Sequence, residues 1–310
     1  MNDFSPINQT KLFGLDKFIL KLIQLDHNKK LPNKILLTGQ KGLGKSTLAF
    51  HFINYVLSKD EQFSYDVNNF EINNKNRSFK TILNKSNPNL IIVDINFEKK
   101  MIDINQIREL IINLNKSSFN TKPRFVLIDN IEFLNLNSVN ALLKVLEEPN
   151  PNINFILINN NKKILHTLLS RCINFKITLT NNKCLDVANK LLDNKLYEMI
   201  NKDLICYYFT PGNIFNLINF AKNNKYDLSK MELKKFIKVL IKENHYKKDK
   251  IIKYLIFDLI EFYFRKANKV FSLNIYDKYS YFLKRISDTK KFNLDTENLF
   301  IELQDEILNG

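Results

Sequence analysis

Short apolar runs alternate with segments of helical period over roughly the first 180 positions. Runs of this length are typical of buried strands, while apolar residues repeating every three to four positions are typical of amphipathic helices. The runs lie at 35–37, 90–93, 125–128, 155–158 and 173–177. The alternation predicts an α/β fold, with a parallel five-stranded sheet covered by helices on both faces.

The segments between the runs differ in character. Leu15, Ile19 and Leu22 share one helical face, and residues 46–57 are apolar almost all round, which predicts a helix packed on the sheet. Residues 58–86 are polar, rich in Asn and without a clear period. We therefore expect a long surface excursion there with little packed structure.

After about residue 180 the pattern becomes helical throughout, with apolar periods at 185–192, 214–220, 233–241, 251–264 and 299–307. A polar run at 223–227 reads as a linker. The pattern predicts three domains: an α/β domain over 1–179, a small helical domain over 180–226 and an all-α C-terminal domain over 227–310.

The composition narrows the class of protein. The net charge of +15 favours contact with nucleic-acid phosphates, although a solvated coat of lysines would give the same charge. Three widely spaced cysteines indicate neither a disulfide framework nor a zinc site, and they are typical of a reducing, cytoplasmic compartment. We also expect no targeting segment and no membrane span.

The most informative motif is the glycine-rich loop at 39–47, Gly-Gln-Lys-Gly-Leu-Gly-Lys-Ser-Thr. Its spacing directs backbone N–H groups and Lys45 at the phosphates of a nucleotide, ATP or ADP, and gives Ser46 a hydroxyl for Mg²⁺. The loop follows a predicted strand and begins a predicted helix, as this mechanism requires. The candidate nucleotide-binding residues are Gly39, Lys41, Gly42, Leu43, Gly44, Lys45, Ser46 and Thr47.

An acidic residue, Asp129, ends the third apolar run and is the candidate second Mg²⁺ ligand, unless it only caps the turn there. The next residue is Asn130, which can orient a water molecule but cannot accept its proton. General-base catalysis, worth about 10² to 10⁴ in rate, is therefore expected to be missing. Glu132 is the candidate substitute, although it lies beyond the strand end.

Several segments together resemble the bacterial clamp-loader branch of the AAA+ ATPases. They are the loop at 39–47, the Ser-Asn-Pro-Asn-Leu stretch at 86–90, Asp129, the Leu-Leu-Lys-Val-Leu-Glu-Glu-Pro run at 142–149 and the Ser-Arg-Cys triplet at 170–172. The resemblance implies an AAA+ P-loop domain, a helical lid and a C-terminal collar domain for ring assembly. It also implies that Arg171 enters a neighbour's ATP site as an arginine finger, the alternative being a local ion pair. Asn159 or Asn160 would be the sensor of the γ-phosphate.

The implied partners are the gamma/tau ATPase and delta subunits of the DNA polymerase III clamp loader. The resemblance also implies indirect contact with the sliding clamp and binding of primer–template DNA through its backbone phosphates. It implies no contact with a membrane and no bound zinc. Compared with the motor subunits, this chain lacks the Asp-Glu pair, the four-cysteine zinc module and the second sensor arginine, whose place Gly212 takes.

These departures favour a subunit of the polymerase holoenzyme that binds nucleotide, has weak or absent ATPase activity and helps to load the sliding clamp. An active gamma-type motor is the alternative. A P-loop kinase for a small molecule would leave the triplet at 170–172 unexplained.

Overall fold

The computed structural model describes residues 5–95, 101–116, 120–147, 152–206, 209–248, 250–267, 273–292 and 294–308. The chain divides into two compact units. The first comprises Met1–Lys190 and Thr210–Gly212, and the second comprises Leu191–Phe209 and Asn213–Gly310. The division into three domains at 180 and 227 stays a prediction.

The first unit contains one sheet of five parallel strands, in the order β2-β3-β4-β1-β5. Its strands are β1 (Lys34–Thr38), β2 (Leu90–Val93), β3 (Arg124–Ile128), β4 (Ile153–Asn159) and β5 (Ile173–Lys176). All five predicted apolar runs form strands, so the predicted fold class is confirmed.

Helices pack on both faces of this sheet. They are α1 (Asp16–His27), α2 (Lys45–Leu57), α3 (Arg77–Leu83), α4 (Ile104–Leu114), α5 (Leu136–Glu147), α6 (His166–Leu169) and α7 (Asn181–Leu191). Alternate strand residues point to opposite faces. In β3, Leu127 belongs to the core formed with α1 and α2, whereas Val126 belongs to the core formed with α4 and α5. The two cores hold the strand ends in fixed positions at one edge.

The prediction for residues 58–86 is wrong, because this segment is packed. Tyr65 and Phe79 are both 5% exposed and belong to the same core as α2. Asn76 caps α3 by accepting a hydrogen bond from Phe79 N at 2.7 Å, and its amide donates to Phe63 O at 2.8 Å. The buried apolar residues of this segment, Tyr65 and Phe79 among them, are separated by exposed polar residues, so they form no long apolar period in the sequence.

The second unit is helical. It contains α8 (Leu196–Met199), α9 (Pro211–Asn223), α10 (Leu233–Lys242), α11 (His245–Lys248), α12 (Lys250–Ala267), α13 (Leu273–Phe292) and α14 (Thr296–Leu303). The first two residues of α9 belong to the first unit, and the helix belongs to the second unit from Asn213 onward. Phe236, Phe257, Phe282 and Phe300 are at most 1% exposed and form its core. Among the described residues, no helix has the length and apolar character needed to cross a membrane.

Candidate functional site

Polar residues gather where the parallel strands end. Gly39 directly follows β1, Asp94 follows β2, Asp129 follows β3 and Asn160 follows β4. In a parallel sheet the carboxyl ends of the strands meet at one edge, which is where such sheets bind ligands. The hydrogen bonds described below join all of these residues into one site.

The glycine-rich loop has the shape of a phosphate cradle. Gly42 and Gly44 have φ angles of +85° and +84°, and a Cβ on Gly39 would lie 2.4 Å from Ile177 O, so these positions need glycine. Gly44 is the N-cap of α2. In the described part of the chain, the backbone N–H groups of residues 41–44 donate no hydrogen bond to another residue. Free donors at the amino end of a helix form an anion site.

Lys45 lies at the centre of the site and is 3% exposed. Its Nζ donates to Gly39 O at 2.9 Å, to Gln40 O at 2.7 Å and to Asn160 Oδ1 at 2.9 Å. Burial lowers the pKa of Lys45 to about 8, and the nearby carboxylates of Asp129 and Glu132 oppose that change. The lysine is therefore still mostly charged at pH 7.

Ser46 and Asp129 supply two oxygen atoms beside the loop. The Ser46 hydroxyl donates a short hydrogen bond to Asp129 Oδ2. Burial raises the pKa of Asp129 above its usual range, and the hydrogen bond from Ser46 opposes this shift. A hydroxyl and a carboxylate next to a phosphate cradle are the donors that Mg²⁺ takes in nucleotide sites. These residues therefore fit a nucleotide with its Mg²⁺, the group that ATP chemistry requires.

The remaining loop residues support this cradle. Leu43 is buried at 6% exposure, and Thr47 is half-buried in the first turn of α2. Lys41 has an exposed side chain, and its carbonyl accepts a hydrogen bond from Thr210 Oγ1 at 2.9 Å. The backbone of this loop is thus held from outside the loop as well.

Asn130, at the position expected for the catalytic acid, is fixed by its neighbours. Its backbone is left-handed, with φ +58° and ψ +44°. Its Nδ2 donates to Asp94 Oδ1 at 2.7 Å, and its Oδ1 accepts from Asn160 Nδ2 at 2.7 Å. With the bond from Lys45 to Asn160, this forms a continuous chain from a buried cation to a carboxylate.

Glu132 and Asn160 complete the polar cluster. Glu132 lies in a single 3₁₀ turn, and its carboxylate accepts from Asn160 Nδ2 at 2.9 Å and from Asn160 N at 3.3 Å. The side chain of Asn159 instead bonds within its own turn, to the backbone O and N of Lys162 at 2.9 and 3.0 Å. The contact with Lys45 therefore favours Asn160 over Asn159 as the sensor, an assignment that stays a prediction.

Gly212 lies directly on the glycine-rich loop, at the place expected for the second sensor arginine. Its N–H donates to Gly42 O at 3.0 Å, and a Cβ on Gly212 would lie 2.7 Å from Gly42 Cα. A larger side chain would therefore force the backbones apart.

Arg171 lies between α6 and β5, at the surface of the first unit. Its Nη1 donates to Thr167 O at 2.9 Å, and its Nη2 forms an ion pair with Glu147 Oε1 at 2.6 Å. Its side chain is 32% exposed. The role as an arginine finger stays a prediction.

Asp94 is a site residue that was not predicted from the sequence. It ends the apolar run of β2 just as Asp129 ends that of β3, and this parallel was the available signal. The Glu147 partner of Arg171 had no such signal, because the two residues are 24 positions apart in sequence.

Residues 14–181, more than half of the chain, match the family model described as DNA polymerase III, delta subunit. The chain belongs to this clamp-loader family. It is 26% identical over 285 residues to DNA polymerase III subunit delta' of Buchnera aphidicola subsp. Schizaphis graminum, a match that covers 86% of this chain and 83% of the relative.

The clamp-loader likeness extends to other subunits. The chain is 31% identical over 193 residues to subunit gamma/tau of Mycoplasma genitalium, covering 60% of this chain but 31% of that relative. A gamma subunit-related protein of DNA polymerase III from Thermotoga maritima shares the fold, with 18% identity, a TM-score of 0.51 and coverage of 92% and 97% of the two chains.

Proposed function

We propose that this clamp-loader subunit fills the delta-prime role, helping to load the sliding clamp onto primed DNA. In this role it binds nucleotide, hydrolyses it poorly and gives Arg171 to the ATP site of a neighbouring subunit. The observation that carries the proposal is Asn130, an amide bonded on both sides where an ATPase needs a free carboxylate.

Two further observations support this role over that of a gamma-type motor. The alignment with the delta' relative covers 86% of this chain, while the alignment with the gamma/tau relative covers 60% of it. Gly212 also leaves no room for a second sensor arginine beside Gly42. A gamma-type motor remains the second candidate, because the loop at 39–47 is complete.

The proposed partners are the gamma/tau and delta subunits, with contact to the clamp through the assembly. Primer–template DNA would be bound through lysines and backbone phosphates, consistent with the charge of +15. We propose ATP or ADP with Mg²⁺ as the ligand. The predicted lid and collar domains belong to this proposal.

The test starts with the isolated chain. We expect it to bind ATP and ADP with turnover near background, and Lys45→Ala to weaken binding at least about 100-fold through loss of a buried charge-assisted contact. Titration with a fluorescent nucleotide and a steady-state phosphate-release assay measure both. Vigorous turnover by the natural chain would support the motor instead.

The second part uses the assembled loader. An arginine finger contributes about 10³-fold or more to turnover, so Arg171→Ala should lower ATP turnover at a partner site by that order while leaving nucleotide binding to this chain intact. Arg77→Ala, an exposed arginine at the start of α3, is the matched control. Unchanged turnover with Arg171→Ala would contradict the proposed role.

A further inference from the structure

The two groups that hold Arg171 come from different helix ends. The carbonyl of Thr167 lies in α6, and the carboxylate of Glu147 is on the last residue of α5. One terminal nitrogen of the guanidinium is used for each contact. The direction of the side chain is therefore set by two separate acceptors.

Both acceptors are anchored. Leu146, next to Glu147, is completely buried, and its carbonyl accepts a hydrogen bond from Lys34 Nζ at 2.8 Å. Leu168, next to Thr167, is 1% exposed. Because Thr167 and Glu147 each neighbour a buried core residue, the backbone at both positions is fixed by the core of the first unit.

We propose that Glu147 is a positioning residue for Arg171: it orients the guanidinium for entry into the neighbouring subunit's site. This inference rests on the proposed arginine-finger function. Arginine has many rotamers, and a planar fork held by two fixed acceptors loses less freedom when it engages a phosphate. The loop that carries Arg171 alone would not supply this restraint.

An alternative is that Glu147 withholds Arg171 as a latch. The side chains are 32% and 51% exposed, and an exposed ion pair shifts an equilibrium by no more than about fivefold. Such a latch would have little effect on a group worth about 10³-fold in turnover. The same limit applies to positioning, so the two roles differ in the sign of the effect: removing a latch would raise turnover, and removing a positioning residue would lower it.

The test measures ATP turnover by the assembled loader. Glu147→Ala should lower kcat about 2- to 5-fold, within what an exposed ion pair can contribute, with KM unchanged, because the finger acts on the transition state rather than on substrate binding. Glu147→Gln keeps an acceptor oxygen of the same reach without the charge and should be intermediate. Glu109→Ala, an exposed carboxylate on α4, is the control and should leave kcat unchanged.

A double-mutant cycle separates positioning from a structural effect. In an Arg171→Ala background, Glu147→Ala should have no further effect, since the group that it orients is gone. Additive losses, or a rise in turnover with Glu147→Ala alone, would overturn the inference. If Glu147→Ala fails to fold, the isosteric Glu147→Gln carries the same cycle. Failure of the proposed function looks different, because Arg171→Ala would then leave turnover unchanged.

Discussion

The glycine-rich loop and the turn after β3 lie at the same edge of the sheet but are built from different groups. The loop offers a ligand mainly backbone N–H groups, whose directions follow from the φ angles of Gly42 and Gly44. The turn presents two side chains. Asp129 accepts hydrogen bonds from Ser46 Oγ and from the N–H of Asn130, and Asn130 is held by Asp94 and Asn160.

The difference separates binding from catalysis. A backbone cradle keeps its shape as long as its glycines are retained, whereas proton transfer depends on the identity of a single side chain. Replacing one carboxylate by an amide at position 130 leaves the cradle unchanged. It also allows a hydrogen-bonded chain from Lys45 to Asp94 that a second carboxylate at position 130 would break.

Placing an acid at position 130 should cause the largest change in ATP turnover by the isolated chain among the variants considered. We expect Asn130→Glu to raise ATP turnover of the isolated chain about 10- to 100-fold, less than the full value of a general base. The gain is limited because the new carboxylate would face Asp94, whose Oδ1 now accepts from the amide at 2.7 Å. Adding Asp94→Asn should increase the gain further.

The control for this experiment is Asn130→Gln. It has the length of glutamate and the same difficulty in adopting the left-handed backbone, but it has no charge. It should bind nucleotide without gaining turnover. A steady-state phosphate-release assay measures all three variants, and retained binding with no gain in Asn130→Glu would show that more than the base is missing.

The loop also differs from the rest of the site in how far the sequence predicted it. Strand positions and the cradle followed from apolar runs and glycine spacing, because both patterns are local. The choice between Asn159 and Asn160 could not be made, since it depends on a turn in which Asn159 bonds to Lys162. The pairing of Arg171 with Glu147 joins residues distant in sequence, which no local pattern reveals.

The packed segment at 58–86 illustrates the same limit. Its order depends on contacts such as Asn54 Nδ2 to Asn76 Oδ1 at 3.1 Å and Tyr65 OH to His51 Nδ1 at 3.0 Å. Polar residues that are buried and hydrogen-bonded to distant partners look like loop residues in a sequence.

The pH dependence of binding tests the loop side of the comparison. Lys45 must be protonated to hold phosphate, and its pKa is about 8 because of burial. It is charged below pH 8 and loses its proton above that value, so ADP affinity should fall as pH rises. We expect binding about tenfold weaker at pH 9 than at pH 7, measured by titration at constant ionic strength.

Two variants serve as controls for the pH dependence of ADP binding. Lys45→Ala should bind weakly with no pH dependence in this window, whereas Lys17→Ala, an exposed lysine on α1, should keep the natural profile. A flat profile in the natural chain would mean that the backbone N–H groups carry the affinity without the lysine.

The smallest effect is expected at Glu132, the remaining carboxylate near Lys45. Both of its oxygens accept hydrogen bonds from Asn160, so we expect Glu132 to hold that side chain rather than to activate water. Glu132→Gln should therefore change the residual ATP turnover less than about threefold, well below the value of a general base. Asn160→Ala removes the group that Glu132 holds. It should lower nucleotide affinity by a factor at least as large as the change in turnover caused by Glu132→Gln. Loss of all residual turnover in Glu132→Gln with binding intact would instead assign Glu132 as the base. The site would then have a general base beside its phosphate loop, and the contrast between binding and catalysis would no longer hold.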